Sequence, residues 1–501
     1  MDRLRAWAGV GFLAGLLLTM VVGATAVPPA DPILYGTYLG AEAAEYGRAI
    51  ATDPAGNLYV AGETQSVTFP TTRASWLHGI DVYVAKFNAT SGAADYILWF
   101  NALTLFAEDY AYGLAVGPDG SAYVVGDTRS DDFCALFGDT PGFDTTYNGG
   151  GDAFVLKVKP DGSGLDYCTF IGGSEADVAR AIALHADGRV TITGGTWSDT
   201  DFPLTPDAYD ASHNGLRDAF VLQLDATGTE LLYATYLGGS GQEEGVSVAV
   251  TGDGETAVTG WTFSSDFPTT PQAYDASHNG SADMFVVRLD AAGAELLAAT
   301  YLGAELDDRP IGIAVDAVGQ MVVAGYTYSP NFPTTPGAWD RQHDGAVDAT
   351  LTSLSPAGAR LVASTFLGGA AEDWAGGLVL DDNGRISLTG RTWSEDFPTT
   401  PDALSKALNG GRDGFVAQLS QDGGRLLYAS YIGGSDWDDS LAVTGGDGWL
   451  ALSGATRSAD FPVTANAHDT AVNGDYDIFV LQLATPPPAD HTLFLPAVLR
   501  Q

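Results

Sequence analysis

The residues best equipped for chemistry in this chain are its acids. Asp and Glu number 63 against 22 Lys and Arg, which gives a formal net charge of −41 over 501 residues. Paired carboxylates can hydrolyse glycosides and clustered ones can hold calcium. No spacing singles out a pair, and "DPAGN" and "PDGSG" are turns, not calcium loops. HExxH, P-loop and Cys–His metal patterns are absent, and "GGSGQ" at Gly238 has Gln242 where a nucleophile elbow needs glycine. His213, His278 and His343 recur at one interval and read as ordinary loop histidines. One position does vary in a chemically suggestive way. Inside a recurring Thr-x-Ser step stand Gln65, Arg129, Trp197, Phe263, Tyr328, Trp393 and Arg457. Aromatics beside arginines could hold a sugar or a peptide. Packing between neighbouring structural units is the other reading of the same residues.

What must position these groups is a repeat. The Phe of a "DFP"-like phrase falls at Phe69, Phe133, Phe202, Phe267, Phe332, Phe397 and Phe461, seven times at a nearly constant interval. Each unit holds four short runs rich in Val, Thr and Tyr and bounded by Gly, Asp or Asn, which is a strand signature. In the unit around Phe267 they begin at Leu231, Val246, Thr256 and Met284. Four strands in each of seven units predict an all-β, seven-bladed β-propeller with four antiparallel strands per blade. "ILYGTYLG" from Ile33 is an outer strand without a blade before it, and "DIFVLQLA" from Asp477 is a third strand without an outer strand after it. Pairing the N-terminal outer strand with the C-terminal third strand closes the ring.

The repeated phrase reads as structure, because a fold built from repeats needs the same joint each time. Phe202, Phe267, Phe332 and Phe397 are apolar anchors, and Pro203, Pro268, Pro333 and Pro398 take the chain out of the ladder. Thr270 and Pro271 predict the N-cap and first position of one helical turn, with Tyr209, Tyr274 and Trp339 as second anchors. An Asn-Gly turn re-enters the sheet, and an Asp opens the third strand (Asp81, Asp152, Asp218, Asp283, Asp348, Asp413, Asp477). Acids recur before the inner strand at Glu45, Asp109, Asp177, Glu244, Asp308, Asp373 and Asp439. They are expected on one rim with the long loops, which would be the default binding face.

"YATYLGGS" at Tyr233, "IAVDAVG" at Ile313, "VVAGYT" at Val322, "NFPTTPGAWD" at Asn331 and "DAFVLQLD" at Asp218 resemble the bacterial SBBP repeat, a family named for seven-bladed β-propellers. The resemblance covers Ile33 to Leu483 and implies secreted or surface proteins without a settled activity. "DYILWFNALTLF" at Asp95 and "DFCALFGDTPGFDTTYNGGG" at Asp132 depart from it. The second holds Cys134, and secretion would permit a disulfide to Cys168 that pins this loop, with two free thiols the alternative.

Residues 1–26 read as a secretory signal peptide: Arg3 and Arg5 precede an apolar run, and Ala24-Thr25-Ala26 suits cleavage. Residues 27–484 form the propeller, and residues 485–501 form a Pro-rich linker and a short apolar tail. The negative charge argues against nucleic acid and anionic lipid as partners, and no later segment is apolar enough to span a membrane. The reading is a secreted or cell-surface monomer that binds or scaffolds a protein or carbohydrate on its loop-rich face, without catalysis. The competing reading is an extracellular polysaccharide hydrolase or lyase using carboxylates of that face. No cofactor is called for, with calcium the one ion an acidic rim would admit.

Overall fold

The computed structural model describes residues 32–71, 79–100, 107–138 and 140–485. The expected signal peptide and all of the expected tail but Thr485 lie outside them. The described chain forms seven four-stranded antiparallel sheets, each running from an inner strand to an outer one in chain order. Blade four shows the plan: inner Glu243–Val250, then Thr256–Thr262, Asp283–Leu289 and outer Leu296–Leu302. The seventh blade is completed by Ile33–Leu39 pairing antiparallel with Asp477–Ala484, which closes the ring. The stretch from Asp95 that departs from the repeat still supplies an outer strand, Ala94–Phe100.

Each inner strand carries a bulge, in blade four between Gly245 and Ser247. The bulged backbone crowds the second strand, so that a Cβ on Gly260 would stand 2.0 Å from the Glu244 carbonyl oxygen. A side chain there must displace backbone, which is why glycine returns at this point of the second strand. The core lies between blades. Val248, Val258, Phe285 and Val287 of blade four pack on Ala219, Val221 and Tyr233 of blade three.

The repeated phrase fills this core from above. Phe267 is 3% exposed and packs on Phe285 at 4.6 Å and Tyr301 at 6.1 Å between ring centroids. The helical turn expected at Thr270-Pro271 is instead a single β-turn, closed by the Ala273 N–H on the Thr270 carbonyl at 3.0 Å. The Thr270 hydroxyl caps no helix and exchanges hydrogen bonds with the backbone of outer-strand Ala299. Tyr209 and Tyr274 pack against neighbouring blades, whereas Trp339 remains 43% exposed. The Asn279 N–H donates to Asp283 Oδ2 at 2.7 Å, which ties the Asn-Gly turn to the third strand.

The recurring acids are joints and not a rim. Strand register puts Glu243 opposite Thr262 and Asp438 opposite Thr456, so these residues, and not Glu244 and Asp439, continue the series of Glu45, Asp177, Asp308 and Asp373. All six are almost fully buried. Asp308 is typical. Its backbone N–H donates to the Ala282 carbonyl of the preceding blade, and its carboxylate accepts from the Thr327 and Ser329 hydroxyls and the Ala304 N–H. Thr-x-Ser is therefore a pair of hydroxyls grasping the next strand's acid. Asp283 of blade four approaches the same point, because a Cβ on Gly303 would lie 2.6 Å from Asp283 Oδ1 and 2.9 Å from Asp308 Oδ2. Each joint thus brings two acids together across two blades.

Candidate functional site

With the repeated acids consumed by the joints, asymmetry has to come from positions where the blades differ. The long loops and the ends of the second strands emerge on one face, around the mouth of the axial channel. At this mouth the structure assembles a nearly continuous ring of arginines and aromatic rings. Arg217 lies 4.0 Å from the Trp197 centroid and 5.8 Å from that of Trp261. Arg309 follows, 4.5 Å from Trp261 and 5.2 Å from Phe263. Tyr326 packs against Trp374 in a tilted pair at 4.5 Å, and Arg391 stands 5.1 Å from Trp374. Arg412 bridges Trp393 and Trp437, and Arg457 bridges Trp437 and Tyr476. Tyr476 stacks on Tyr46, and Arg48 covers Tyr46 at 4.9 Å. Each contact adds about 0.5–2 kcal/mol, more where desolvated.

All six variable residues of the Thr-x-Ser step from Arg129 to Arg457 stand on this ring or beside it. Trp197 is 37% exposed and Phe263 40%, while Tyr328 and Trp393 are half-buried. Tyr328 meets Trp374 edge-on at 5.9 Å. Arg129 is ion-paired with Glu108 at 2.6 Å, and Arg457 is exposed. These side chains are not sealed between blades.

The sequence reading found Arg457 but missed Trp261, Tyr326, Trp374, Trp437, Tyr476 and the arginines Arg48, Arg180, Arg217, Arg309, Arg391 and Arg412. They come from a few fixed places in the blade: the residue before the inner strand, the second and fourth residues of that strand, the next-to-last residue of the second strand, and the residue before the third-strand Asp. A recurrence of Trp, Tyr and Arg at only these points was the available signal.

The ring is charge-balanced in patches. Glu244, buried between Arg180 and Arg217, accepts from both. Burial would raise its carboxyl, but the two guanidinium groups outweigh it and hold the carboxyl below the ordinary value. Glu63 pairs with Arg48 at 2.6 Å and Asp439 with Arg412 at 2.7 Å, yet burial outweighs the arginines and raises both. Asp127 is pushed up to about 6, by burial against the opposing charge of Arg180. Arg309 and Arg457 make no ion pair with any described residue.

Below the ring the inner strands enclose a channel of about 520 Å³. Arg48, Tyr112 and Arg180 line one side, and Val246, Ile311, Leu378 and Leu441 the other. A hollow of about 910 Å³ lies among the tight turns of the opposite face, where Arg385 is committed to Asp381 and Asp447.

His213, His278 and His343 each reach a backbone carbonyl at 3.2–3.3 Å and set a ring edge-on against Tyr236, Tyr301 or Phe366. Among the described residues no group of three or more His, Cys, Asp or Glu side chains could hold a metal ion. Cys134 and Cys168 are bonded, tying a 3-10 turn at Phe133–Ala135 to the outer strand Leu165–Ile171.

Comparison with known proteins agrees with this architecture. Residues 34–69 match the SBBP beta-propeller repeat. The regulatory protein FlaEY of Caulobacter vibrioides is 25% identical over 369 residues, which cover 70% of this chain and 37% of that protein, so the chain spans little more than a third of its relative. Among solved structures, the Dos1 propeller aligns with 89% of this chain and 94% of its own at 9% identity and a TM-score of 0.42. BamB from Moraxella catarrhalis aligns with 87% of this chain and 85% of its own at 11% identity and a TM-score of 0.36. Residues 34–69 therefore carry an SBBP beta-propeller repeat, set within a ring of seven closed blades.

Proposed function

We propose that this propeller is a non-catalytic binding module working outside the cytoplasm, and that its ligand face is the arginine–aromatic ring at the channel mouth. One observation carries the reading. In a chain of net charge −41, eight of the 22 Lys and Arg residues gather at this mouth: Arg48, Arg129, Arg180, Arg217, Arg309, Arg391, Arg412 and Arg457. Interleaved Trp, Tyr and Arg are the side chains that carry most binding energy in protein recognition surfaces. A glycoside hydrolase would need two carboxyls flanking the scissile bond, whereas Glu63, Glu244 and Asp439 are each committed to arginine. The Cys134–Cys168 bond supports an oxidising compartment, in line with the signal peptide read from residues 1–26.

The test is a glycan and peptide array probed with the full chain, with and without calcium. A ligand of the mouth loses binding when Trp197 and Trp393 are both changed to alanine. Unchanged binding of every captured ligand would remove the mouth from consideration.

A further inference from the structure

We propose that the corner of the ring built from Arg309, Trp261 and Phe263 is a subsite for a carboxylated sugar within an acidic polysaccharide. The proposal rests on the mouth being the ligand face and names the chemistry that face selects.

Arg309 is the second residue of the inner strand Asp308–Val315. Its guanidinium lies 4.5 Å from the Trp261 centroid and 5.2 Å from that of Phe263, and it makes no ion pair with any described residue. Arg48, Arg180, Arg217 and Arg412 differ in having carboxylate partners. The two rings, set edge-on to each other, contact the guanidinium without supplying an oxygen acceptor, which leaves its N–H donors to meet one. A planar carboxylate is the acceptor that fits these donors in bidentate fashion. Half-burial of Arg309 makes such a pair stronger than one in open water.

Phe263 stands beside this cation with 40% of its surface exposed. A pyranose ring offers what such a plate lacks: an apolar C–H face to cover it, with the carboxylate at the ring's edge. Trp197, Tyr328 and Trp393 occupy the same step in neighbouring blades, so plates recur in four consecutive blades around the mouth. A polymer with one ring per repeat can use several of them, which raises its apparent affinity by linkage.

A peptide fits less well. Strands end at this face and present no free edge for strand addition. The exposed aromatics form plates and not a deep anchoring pocket. The remaining surface, with a large excess of acids, repels an acidic polymer and confines it to the arginine-rich mouth.

The experiment measures binding of the full chain to oligogalacturonate, oligomannuronate and hyaluronan fragments. Methyl-esterified oligogalacturonate, a neutral cello-oligosaccharide and a poly-glutamate peptide serve as comparisons. At least one acidic glycan is expected to bind, and its esterified or neutral counterpart to bind about tenfold or more weakly. Arg309→Met should cost about tenfold, and Arg309→Lys, which keeps the charge without the fork, should lie between. Phe263→Ala should cost about fivefold, and the exposed outer Trp339→Ala should cost nothing. Thermal melts confirm that each variant folds. Equal binding of acid and ester, indifference to Arg309→Met, or capture of poly-glutamate alone overturns the carboxylated-sugar subsite. If another probe binds and is lost with the double Trp197 and Trp393 change, the mouth reading survives that failure. If no probe binds, the carboxylated-sugar subsite falls, and the mouth reading is decided by the array with the double Trp197 and Trp393 change.

Discussion

Lowering the pH from 8 to 6 is expected to make this propeller more stable, the reverse of the usual acid response. The cause is the pairing of acids at the blade joints. Burial pushes the carboxyls of Asp152, Asp308 and Asp438 up to about 7, against the hydrogen bonds that favour their charged forms, and each is raised further by an acid across the joint. Asp109, Asp177, Asp348 and Asp477 are held at about 6, again chiefly by burial. An unfolded Asp titrates near 3.9. Between about pH 4 and 7 the folded chain therefore holds protons that the unfolded chain has released, and stability falls as pH rises through that window.

Each retained proton contributes about 1.4 kcal/mol per pH unit. The three acids near 7 hold roughly two protons on average between pH 6 and 7, so stability changes by about 3 kcal/mol across that unit. For a domain of this size that is about 3 °C in Tm. His185 acts in the opposite sense: burial and Arg189 lower its pKa, so its effect sets in only below its ordinary value. The turn acids whose pKa is lowered, such as Asp53 and Asp225, lose their contribution only below about pH 4. Acidification also relieves general charge repulsion, so the melts should be repeated in 0.5 M salt, which screens exposed charges at about 4 Å. The buried pairs survive that screening. Asp308→Asn cannot ionise and should remove about one proton's share of the slope, roughly 1 °C per pH unit. A Tm that is flat or falls from pH 8 to 6, or an unaltered slope in Asp308→Asn, would refute the reasoning.

Three further outcomes follow from single contacts. Gly303→Ala places a methyl within 3 Å of two joint carboxylates, and should lower the unfolding free energy by about 2 kcal/mol or more in denaturant titration, with little change in the far-ultraviolet spectrum. Opening the Cys134–Cys168 bond, with its sequence separation of 34, should cost about 4 kcal/mol in the chain-entropy account, read as a fall in Tm under reductant that a Cys134→Ser, Cys168→Ser double variant no longer shows. Glu244→Gln leaves the buried Arg217 without a counter-charge and should cost about 3–5 kcal/mol, more than the same change at the exposed Glu108.

The blade plan was legible because it repeats. Phe267 and its equivalents, the Asp that opens each third strand and the glycine-rich turns stand at fixed intervals, and any one of them predicts the others. The same regularity misplaced the acids. Glu244 sits one residue after Glu243, and only strand pairing shows that Glu243 faces Thr262 while Glu244 faces Trp261. A one-residue slip carries a side chain from one face of a strand to the other, so Glu244, grouped with the recurring acids, faces the mouth while Glu243 beside it holds the joint. The ring itself was only half visible. Arg217, Trp261 and Arg309 lie in different strands of different blades, and no interval in the chain connects them. They meet because strands of seven blades all end on one face. Variation among repeats therefore carried the useful information. Where every blade must agree, the residue holds the fold together. Where Trp197, Phe263, Tyr328 and Trp393 replace one another in neighbouring blades, joint chemistry imposes no choice, and the shared aromatic character is what the proposed ligand face would account for.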